Sequence, residues 1–573
     1  MQRLSKAIPI FQPKGLTKNV LKASSAQDLL QKLGFVKKSQ SGVFQWLPLG
    51  LRSLRKINQI IRQGMNEGVN GQEVALSVLS PKEIWETTKR WNNNELFKLK
   101  DAKGAEFCLT GTCEEDITSL MKNYVNSYKD LPLMVYQIGR KYRDEIRPRG
   151  GLLRGREFIM KDGYSFAATK SDALELFRDV NVVYERIFQQ LQIPVVKALA
   201  DSGEIGGDLS QEFHLLHNSG EDTVFKCDAC DEVSTMEKCE AIPVQEGKHL
   251  GKVAVKYALT TDHSTLICFY FPEGRELNWN LALKSMDSDI DIHLKDVHND
   301  KILEIYKGEL DDEMFACIMR VMDSRISSRS DFPDFPLTKY LKNNFSQLDG
   351  VPLVNAEDNE ICASCGEGHL HGSKSIEVGH TFYLGTKYSG PLNLNFTDKD
   401  NIKNNTLVQM GCYGIGVSRL IGAIAEIYKD DLGLNLPSSI SPYLVSFCVP
   451  PGDAESGTYV QLMNDLANIS KLKNEIMTQF PSNTGLGGRI TLSHSIGIPL
   501  CVIVGPKSWP NVEIEIRSPL LLKRKEPNWV GEYAIFHDQY NWNVIEENEK
   551  HPEKHIVSAA HLSDVISILL KGL

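Results

Sequence analysis

Residues 136–166 read YQIGRKYRDEIRPRGGLLRGREFIMKDGYSF, and their pattern decides the fold. Two runs within or overlapping this stretch, 134–142 and 157–166, alternate apolar and polar side chains. A period of two marks a strand that buries one face. Between the runs lie Arg147, Arg149, Arg154 and Arg156, with Gly150, Gly151 and Gly155. The expected object is an antiparallel hairpin with a long, flexible, cationic tip. Such a tip suits a polyanion, a triphosphate or an RNA end, because the planar guanidinium binds phosphate oxygens in pairs. On composition alone, a solvated basic hairpin fits equally well.

The rest of the chain sets bounds on that reading. At 573 residues it should hold several domains. No apolar run is long enough to span a bilayer, so no membrane partner is expected. Twelve cysteines are too sparse for a secreted disulfide scaffold and point to a reducing compartment. The net charge of −9 means that an RNA partner must be met by local basic patches. Residues 1–27 carry Arg3, Lys6, Lys14, Lys18 and Lys22 with no acidic residue before Asp28. This resembles a mitochondrial transit segment, the alternative being a disordered basic leader. The expected location is the mitochondrial matrix, with the cytoplasm as alternative.

Residues 49–67 place Leu51, Leu54, Ile57, Ile61 and Met65 at helical spacing, and 73–80 reads as a strand. The stretch 109–124, LTGTCEEDITSLMKNY, is a loop entering a helix, with Thr110 or Thr112 as cap and Glu114 and Glu115 in the first turn. Residues 172–191 form a further amphipathic helix. In 407–428, LVQMGCYGIGVSRLIGAIAEIY, a buried strand meets a glycine turn and a helix. Gly411, Gly414 and Gly416 would let backbone approach a ligand, and the helix start suits an anion. The turn has neither the Walker lysine nor the Rossmann spacing. From 441 onward, buried strands at 443–449 and 499–504 and a closing helix at 562–570 indicate a small α/β domain. Two CxxC pairs, Cys227/Cys230 and Cys362/Cys365, supply the four thiolates of a structural zinc site if the intervening segment returns to its root. Reduced thiols or a redox pair are the other readings.

Tyr142-Arg143-Asp144-Glu145, followed by Arg156-Glu157-Phe158 and Asp162, resembles motif 2 of the class II aminoacyl-tRNA synthetases. The longer string is similar to the bacterial-type prolyl-tRNA synthetase family. So are WLPLG at 46–50, the segment 203–216, and SIEVGHTFYLGTKYS at 375–389; residues 407–428 resemble motif 3. The resemblance implies an α+β fold: an antiparallel catalytic sheet with helices, an inserted domain, and a C-terminal α/β anticodon-binding domain. It divides the chain into a leader at 1–27, catalytic parts at 28–218 and 373–440, an editing-like and degenerate insertion at 219–372, and the anticodon-binding domain at 441–573.

The same resemblance implies a proline--tRNA ligase that activates proline with ATP and Mg2+ and charges tRNA(Pro), acting as a homodimer through the strand at 73–80. There Ser77 replaces the family's proline. Arg143 and Arg419 become catalytic. Arg143, Glu145, Arg156, Phe158, Gln409 and Arg419 hold ATP. Thr112, Glu114, Arg143, His380 and Cys412 hold proline. Gly111 and Cys113 depart from the family's Pro and His, and Lys256 falls near the lysine of the editing insertion. Two other readings stand beside this one: a threonine or serine enzyme, and a catalytically silent paralogue that only binds.

Overall fold

The two alternating runs form the strands Leu133–Tyr142 and Glu157–Ala167, paired antiparallel from Leu133↔Phe166 to Tyr142↔Glu157. This is the computed structural model of the chain, and it describes residues 11, 16–203, 205–207, 209–244, 251–310, 315–337, 340–399, 405–451, 457–481, 484–518, 535–545 and 552–573. The chain divides into two units, Met1–Val195 with Tyr383–Leu573, and Val196–Phe382.

In the first unit the hairpin is flanked by Gln409–Ile415, antiparallel to Glu157–Ala167, and by Gln72–Glu73, parallel to Leu133–Tyr142. Behind the sheet lie the helices Pro48–Val69, Lys170–Gln190 and Val417–Tyr428. The first two owe their close approach to glycine. A Cβ at Gly64 would stand 2.7 Å from Ile187 Cγ1, and one at Gly68 2.4 Å from Val183 Cγ2. Small residues four apart on one face let two helices touch along their backbones, so Leu54, Ile57, Ile61 and Met65 bury fully or nearly so. Leu51, expected in that stripe, stays half-buried.

The expected strand at 73–80 is two short pieces, Gln72–Glu73 and Leu79–Pro81, with no strand between them. The Ser77 hydroxyl donates to Leu79 O (2.9 Å) and accepts from Leu79 N (3.2 Å), a local turn that competes with the ladder. Leu79–Pro81 instead pairs with Glu106–Leu109, which also pairs with Phe97–Lys100.

The C-terminal residues carry a mixed six-stranded sheet in the order Ile476–Met477, Val445–Cys448, Leu500–Ile503, Asn511–Ile516, Glu553–Ser558, Asn543–Ile545. The helix Leu562–Gly572 contributes Val565, Ile566 and Leu569 to its core. It belongs to the first unit. Lys56 Nζ lies 2.6 Å from Glu475 Oε2, and the Arg52 guanidinium lies 4.1 Å from the centroid of the Tyr443 ring.

The second unit holds a four-stranded sheet, Val253–Leu259, Thr265–Pro272, Cys317–Asp323, Phe345–Val351, with apolar clusters on both faces. A cleft of about 680 Å³ there is lined by Tyr270, Arg320, Ser327, Phe332 and Gln347 among others. Lys256 donates to the Val297 carbonyl at 2.8 Å. The rest of this unit joins Asp222–Cys227 antiparallel to Leu370–Gly385. The mixture of helices and strands is the α+β architecture expected. No described helix is long and apolar enough to cross a membrane.

Of the expected leader, residues 1–10 and 12–15 lie outside the described residues. From Thr17 the chain is packed: Leu21 and Ala26 are buried in and beside the helix Lys18–Ala23, and Gln27 donates to the Gly422 carbonyl (3.3 Å).

Candidate active site

Around the hairpin tip, two of the arginines, Arg154 and Arg156, pair with acids of the same hairpin. Arg154 Nε lies 3.0 Å from Glu145 Oε2, and Arg156 pairs with Asp144 while its guanidinium lies 4.9 Å from the centroid of the Phe97 ring. The Arg143 guanidinium has no ion-pair partner among the described residues and lies 5.4 Å from the centroid of the Phe158 ring. A half-buried cation with no counter-charge, beside an aromatic face, is a ready seat for an anion joined to a base.

The expected flexible tip is tied down. Gly150 and Gly151 take φ of 62° and 61°, Leu152 is buried with its N–H donating to Gln27 Oε1 (3.1 Å), and Arg419 Nε donates to the Leu153 carbonyl (2.9 Å). The sequence pattern hid this because the partners, Gln27 and Arg419, stand far off in the chain.

Gln409 accepts from the Tyr383 hydroxyl at 2.7 Å. Gly411 makes room for the protein's own hydroxyls: a Cβ there would lie 2.3 Å from Tyr413 Oη and 2.7 Å from Ser165 Oγ, the pair joined at 2.9 Å. The helix Val417–Tyr428 starts at Gly416, and Ser418 Oγ accepts from Ile159 N (2.7 Å), which ties the glycine turn to the hairpin.

Beside them the loop 112–114 ends on a wholly buried carboxylate. Thr112 Oγ1 lies 2.7 Å from each oxygen of Glu114, Cys412 Sγ donates to Oε1 at 3.0 Å, and Arg90 Nη1 donates to Oε2 at 3.2 Å. Neither Thr110 nor Thr112 caps the helix Glu114–Met121, correcting the capping expectation. Its N-cap is Cys113, with no side-chain bond, and the Thr112 hydroxyl is turned to the carboxylate.

The loop is anchored from beneath. Asp162, buried, takes Lys141 Nζ (3.0 Å), Gln137 Nε2 (2.9 Å) and Tyr164 Oη (2.9 Å), and Tyr164 Oη accepts from Cys113 N (2.9 Å). Lys161, one residue away and fully buried, is pushed down to about 7 by burial.

Arg90 was not legible as a site residue. It also reaches Glu115, 3.0 Å to Oε1, so two buried carboxylates share one guanidinium. The usable signal was Glu114-Glu115 itself: two adjacent acids at the start of a buried helix need a cation. Burial pushes Glu114 up, but Arg90, Thr112 and Cys412 outweigh it and hold it below the usual carboxylate range. Glu115 goes the other way, to about 7, chiefly by burial, with the Glu114 charge adding and Arg90 opposing.

Because the folded chain keeps the Glu115 proton between the ordinary glutamate value and about 7, it binds more protons than the unfolded chain there. Stability therefore falls as pH rises through that window. Asp116, raised to about 6 by burial, adds to the same slope. Glu115→Gln should remove a decline on the order of 2 kcal/mol, read as a flatter melting temperature between about pH 5 and 7 than in the parent chain. An unchanged slope would place the proton elsewhere.

His380 lies in the second unit. Its Nε2 is 2.5 Å from Ser210 Oγ, its Nδ1 is 3.3 Å from Glu212 and from Glu377, and its ring stacks on Phe382 at 3.8 Å. The four paired cysteines also lie in that unit and come together.

The antiparallel hairpin, the strand–turn–helix beside it and the uncommitted Arg143 define the core of a class II aminoacyl-tRNA synthetase, and residues 97–428 match the tRNA synthetase class II core domain (G, H, P, S and T). Over 575 aligned residues the chain is 54% identical to a probable mitochondrial proline--tRNA ligase of Saccharomyces cerevisiae, covering 100% of this chain and 99% of that one. It is 40% identical to a cytoplasmic proline--tRNA ligase of Candida albicans, over 95% and 94% of the two chains. Its fold is similar to that of the prolyl-tRNA synthetase of Cryptosporidium parvum complexed with L-proline and AMP, at a TM-score of 0.57 and 14% identity, covering 98% of this chain and 79% of that one. The chain belongs to the proline--tRNA ligase family. Neither a threonine or serine enzyme nor a silent paralogue is favoured by these likenesses.

Proposed function

We propose that the chain joins proline to tRNA(Pro) in two steps, and that Thr112, Glu114 and Cys412 form the end of the amino-acid site in the first unit. One observation supports this most: Glu114 is an ionised carboxylate at the end of a half-buried loop, with its fold-side charge already met by Arg90. Glu115 keeps its proton up to about 7, so Arg90 faces the Glu114 charge from the fold side alone, and the other partners of Glu114 are the uncharged Thr112 hydroxyl and Cys412 thiol. A secondary ammonium answers that charge by displacing the Thr112 hydroxyl from one oxygen. The buried Cys412 walls the site as a thiol, since burial and the Glu114 charge push its pKa far up.

In the first step a carboxylate oxygen of proline bonds to the α-phosphorus of ATP in line, and pyrophosphate leaves with the electron pair of the broken P–O bond. Arg143 meets the charge that grows on the phosphoryl oxygens. Phe158 offers its face to the adenine, and Glu145 accepts from the adenine amino group once released from Arg154. Arg156, Gln409 and Arg419 hold the polyphosphate, which arrives as its magnesium complex. In the second step the terminal ribose hydroxyl of the tRNA attacks the prolyl carbonyl and AMP leaves. No side chain forms a covalent bond to the substrate, and rate comes from positioning and charge.

The reading extends to a homodimer through the segment around Ser77, to an inserted editing-like domain at 219–372, and to an anticodon-binding role for 441–573, supported by its mixed sheet. The mitochondrial matrix is supported by the name of the yeast relative and by the basic residues of 1–27. Incubating the purified chain with tRNA(Pro), ATP and labelled proline should yield prolyl-tRNA. Charging with labelled threonine or serine instead would overturn the assignment.

A further inference from the structure

We infer that Cys227, Cys230, Cys362 and Cys365 hold one zinc ion in a closed four-thiolate site that staples the two ends of the segment carrying the four-stranded sheet of the second unit. The four sulfurs lie within 4.8 Å of one another. Across the two pairs, Cys227 Sγ is 3.7 Å from Cys365 Sγ, and Cys230 Sγ is 4.0 Å from Cys362 Sγ. A tetrahedral ion with zinc–sulfur bonds of about 2.3 Å sets its sulfurs about 3.8 Å apart. The two distances across the pairs match that spacing, and the remaining sulfur pairs lie within 4.8 Å.

The backbone around them is built for this twice over. Each CxxC is followed at once by a residue in the left-handed region, Asp231 (φ 56°) and Gly366 (φ 72°). Each turn is then closed by the N–H of its first cysteine: Cys227 N donates to Glu232 O (2.9 Å), and Cys362 N to Gly368 O (2.8 Å). Turned in this way, the chain aims N–H groups at the sulfurs, as Gly368 N does at Cys365 Sγ (3.3 Å) and Glu232 N does at Cys230. Donors of this kind favour the thiolate that a metal needs.

The two turns also fit each other. Asp228 N donates to His369 O (3.1 Å), and His369 N donates to Asp228 Oδ1 (2.7 Å). A Cβ on Gly368 would lie 2.4 Å from Cys227 Sγ and 2.7 Å from Ala229 Cβ, so only glycine lets the second turn close over the first. Cys239, buried nearby in the same apolar cluster, is not among the four converging thiols.

The chemistry selects zinc. Four sulfurs and no oxygen or nitrogen exclude the hard cations, and among divalent ions at a thiolate site zinc binds more tightly than iron. Four protein ligands leave no open position, which makes the site structural and not catalytic. Its purpose follows from the packing. Among the described residues the apolar cluster at this root has seven buried members, Phe225, Cys227, Cys239, Ala241, Ala356, Cys362 and Leu370, too few to hold two distant stretches of chain together.

The test uses the full chain, purified in thiol reductant without chelator and assayed for metals by mass spectrometry. About one zinc per chain is expected. Titration of the native protein with a mercurial should release that zinc, read with a coloured chelator. Refolding with cobalt should give the visible bands of a tetrahedral cobalt thiolate. Cys365→Ser, at a half-exposed ligand, should lose the metal and protection from hydrogen exchange in both turns, while Cys239→Ser keeps both. A folded parent chain free of zinc, iron in place of zinc, a Cys227–Cys365 disulfide under these conditions, or full zinc in Cys365→Ser would each overturn the proposal. The mercurial and cobalt measurements stand on the parent chain and do not depend on the variant folding.

Discussion

Replacing Arg143 with alanine should lower proline-dependent ATP–pyrophosphate exchange by about 100- to 1,000-fold, the usual loss when a preorganised donor to developing charge is removed. The structure gives the reason for choosing this arginine over its neighbours. Arg154 and Arg156 are matched to Glu145 and Asp144, whereas Arg143 has no ion-pair partner among the described residues. Its removal leaves no buried carboxylate stranded, so the fold should survive with a melting temperature close to that of the parent chain. The half-exposed side chain contributes its face to Phe158 and little else. Near-normal exchange in a folded Arg143→Ala chain would take this residue out of the reaction.

Glu114→Gln should raise the Michaelis constant for proline by about 10- to 150-fold, equivalent to about 1.5–3 kcal/mol for a lost hydrogen bond to a charged group, and leave that for ATP nearly unchanged. Removing one partner of a buried ion pair usually destabilises the fold, because the other charge is left unmatched. Here Arg90 retains Glu115, 3.0 Å away, and the removal of the Glu114 charge lets Glu115 ionise at lower pH. The guanidinium stays matched and the shape of the loop is kept. If Glu114 mattered only as the first residue of a helix, the variant would melt earlier and bind proline as before. Both Michaelis constants and a melting curve on the same preparation separate the two.

The parts of the fold that could be read from sequence are those whose cause is local. The hairpin followed from alternation at 134–142 and 157–166, and the strand–turn–helix from the glycines and apolar run of 407–428. Local causes also misled. Thr110 and Thr112 have the chemistry of helix caps, yet the Thr112 hydroxyl finds a stronger acceptor in Glu114. A strand was expected through 73–80, where Ser77 folds the backbone onto Leu79.

What stayed hidden depends on residues distant in sequence. Arg90 meets Glu114 and Glu115, Gln27 meets Leu152, and Tyr164 meets Cys113 across separations that no short window spans. The two CxxC pairs are the exception: the sequence already allowed them to meet if the chain between them returned to its root, and Cys230 Sγ lies 4.0 Å from Cys362 Sγ.

The central claim is that this site activates proline. ATP–pyrophosphate exchange by the purified chain, run with each proteinogenic amino acid in turn and without tRNA, tests it most directly. The account predicts exchange with proline far above every other amino acid, and its loss in Arg143→Ala. Exchange driven by threonine or serine, or none with any amino acid by a folded, ATP-binding chain, would contradict it.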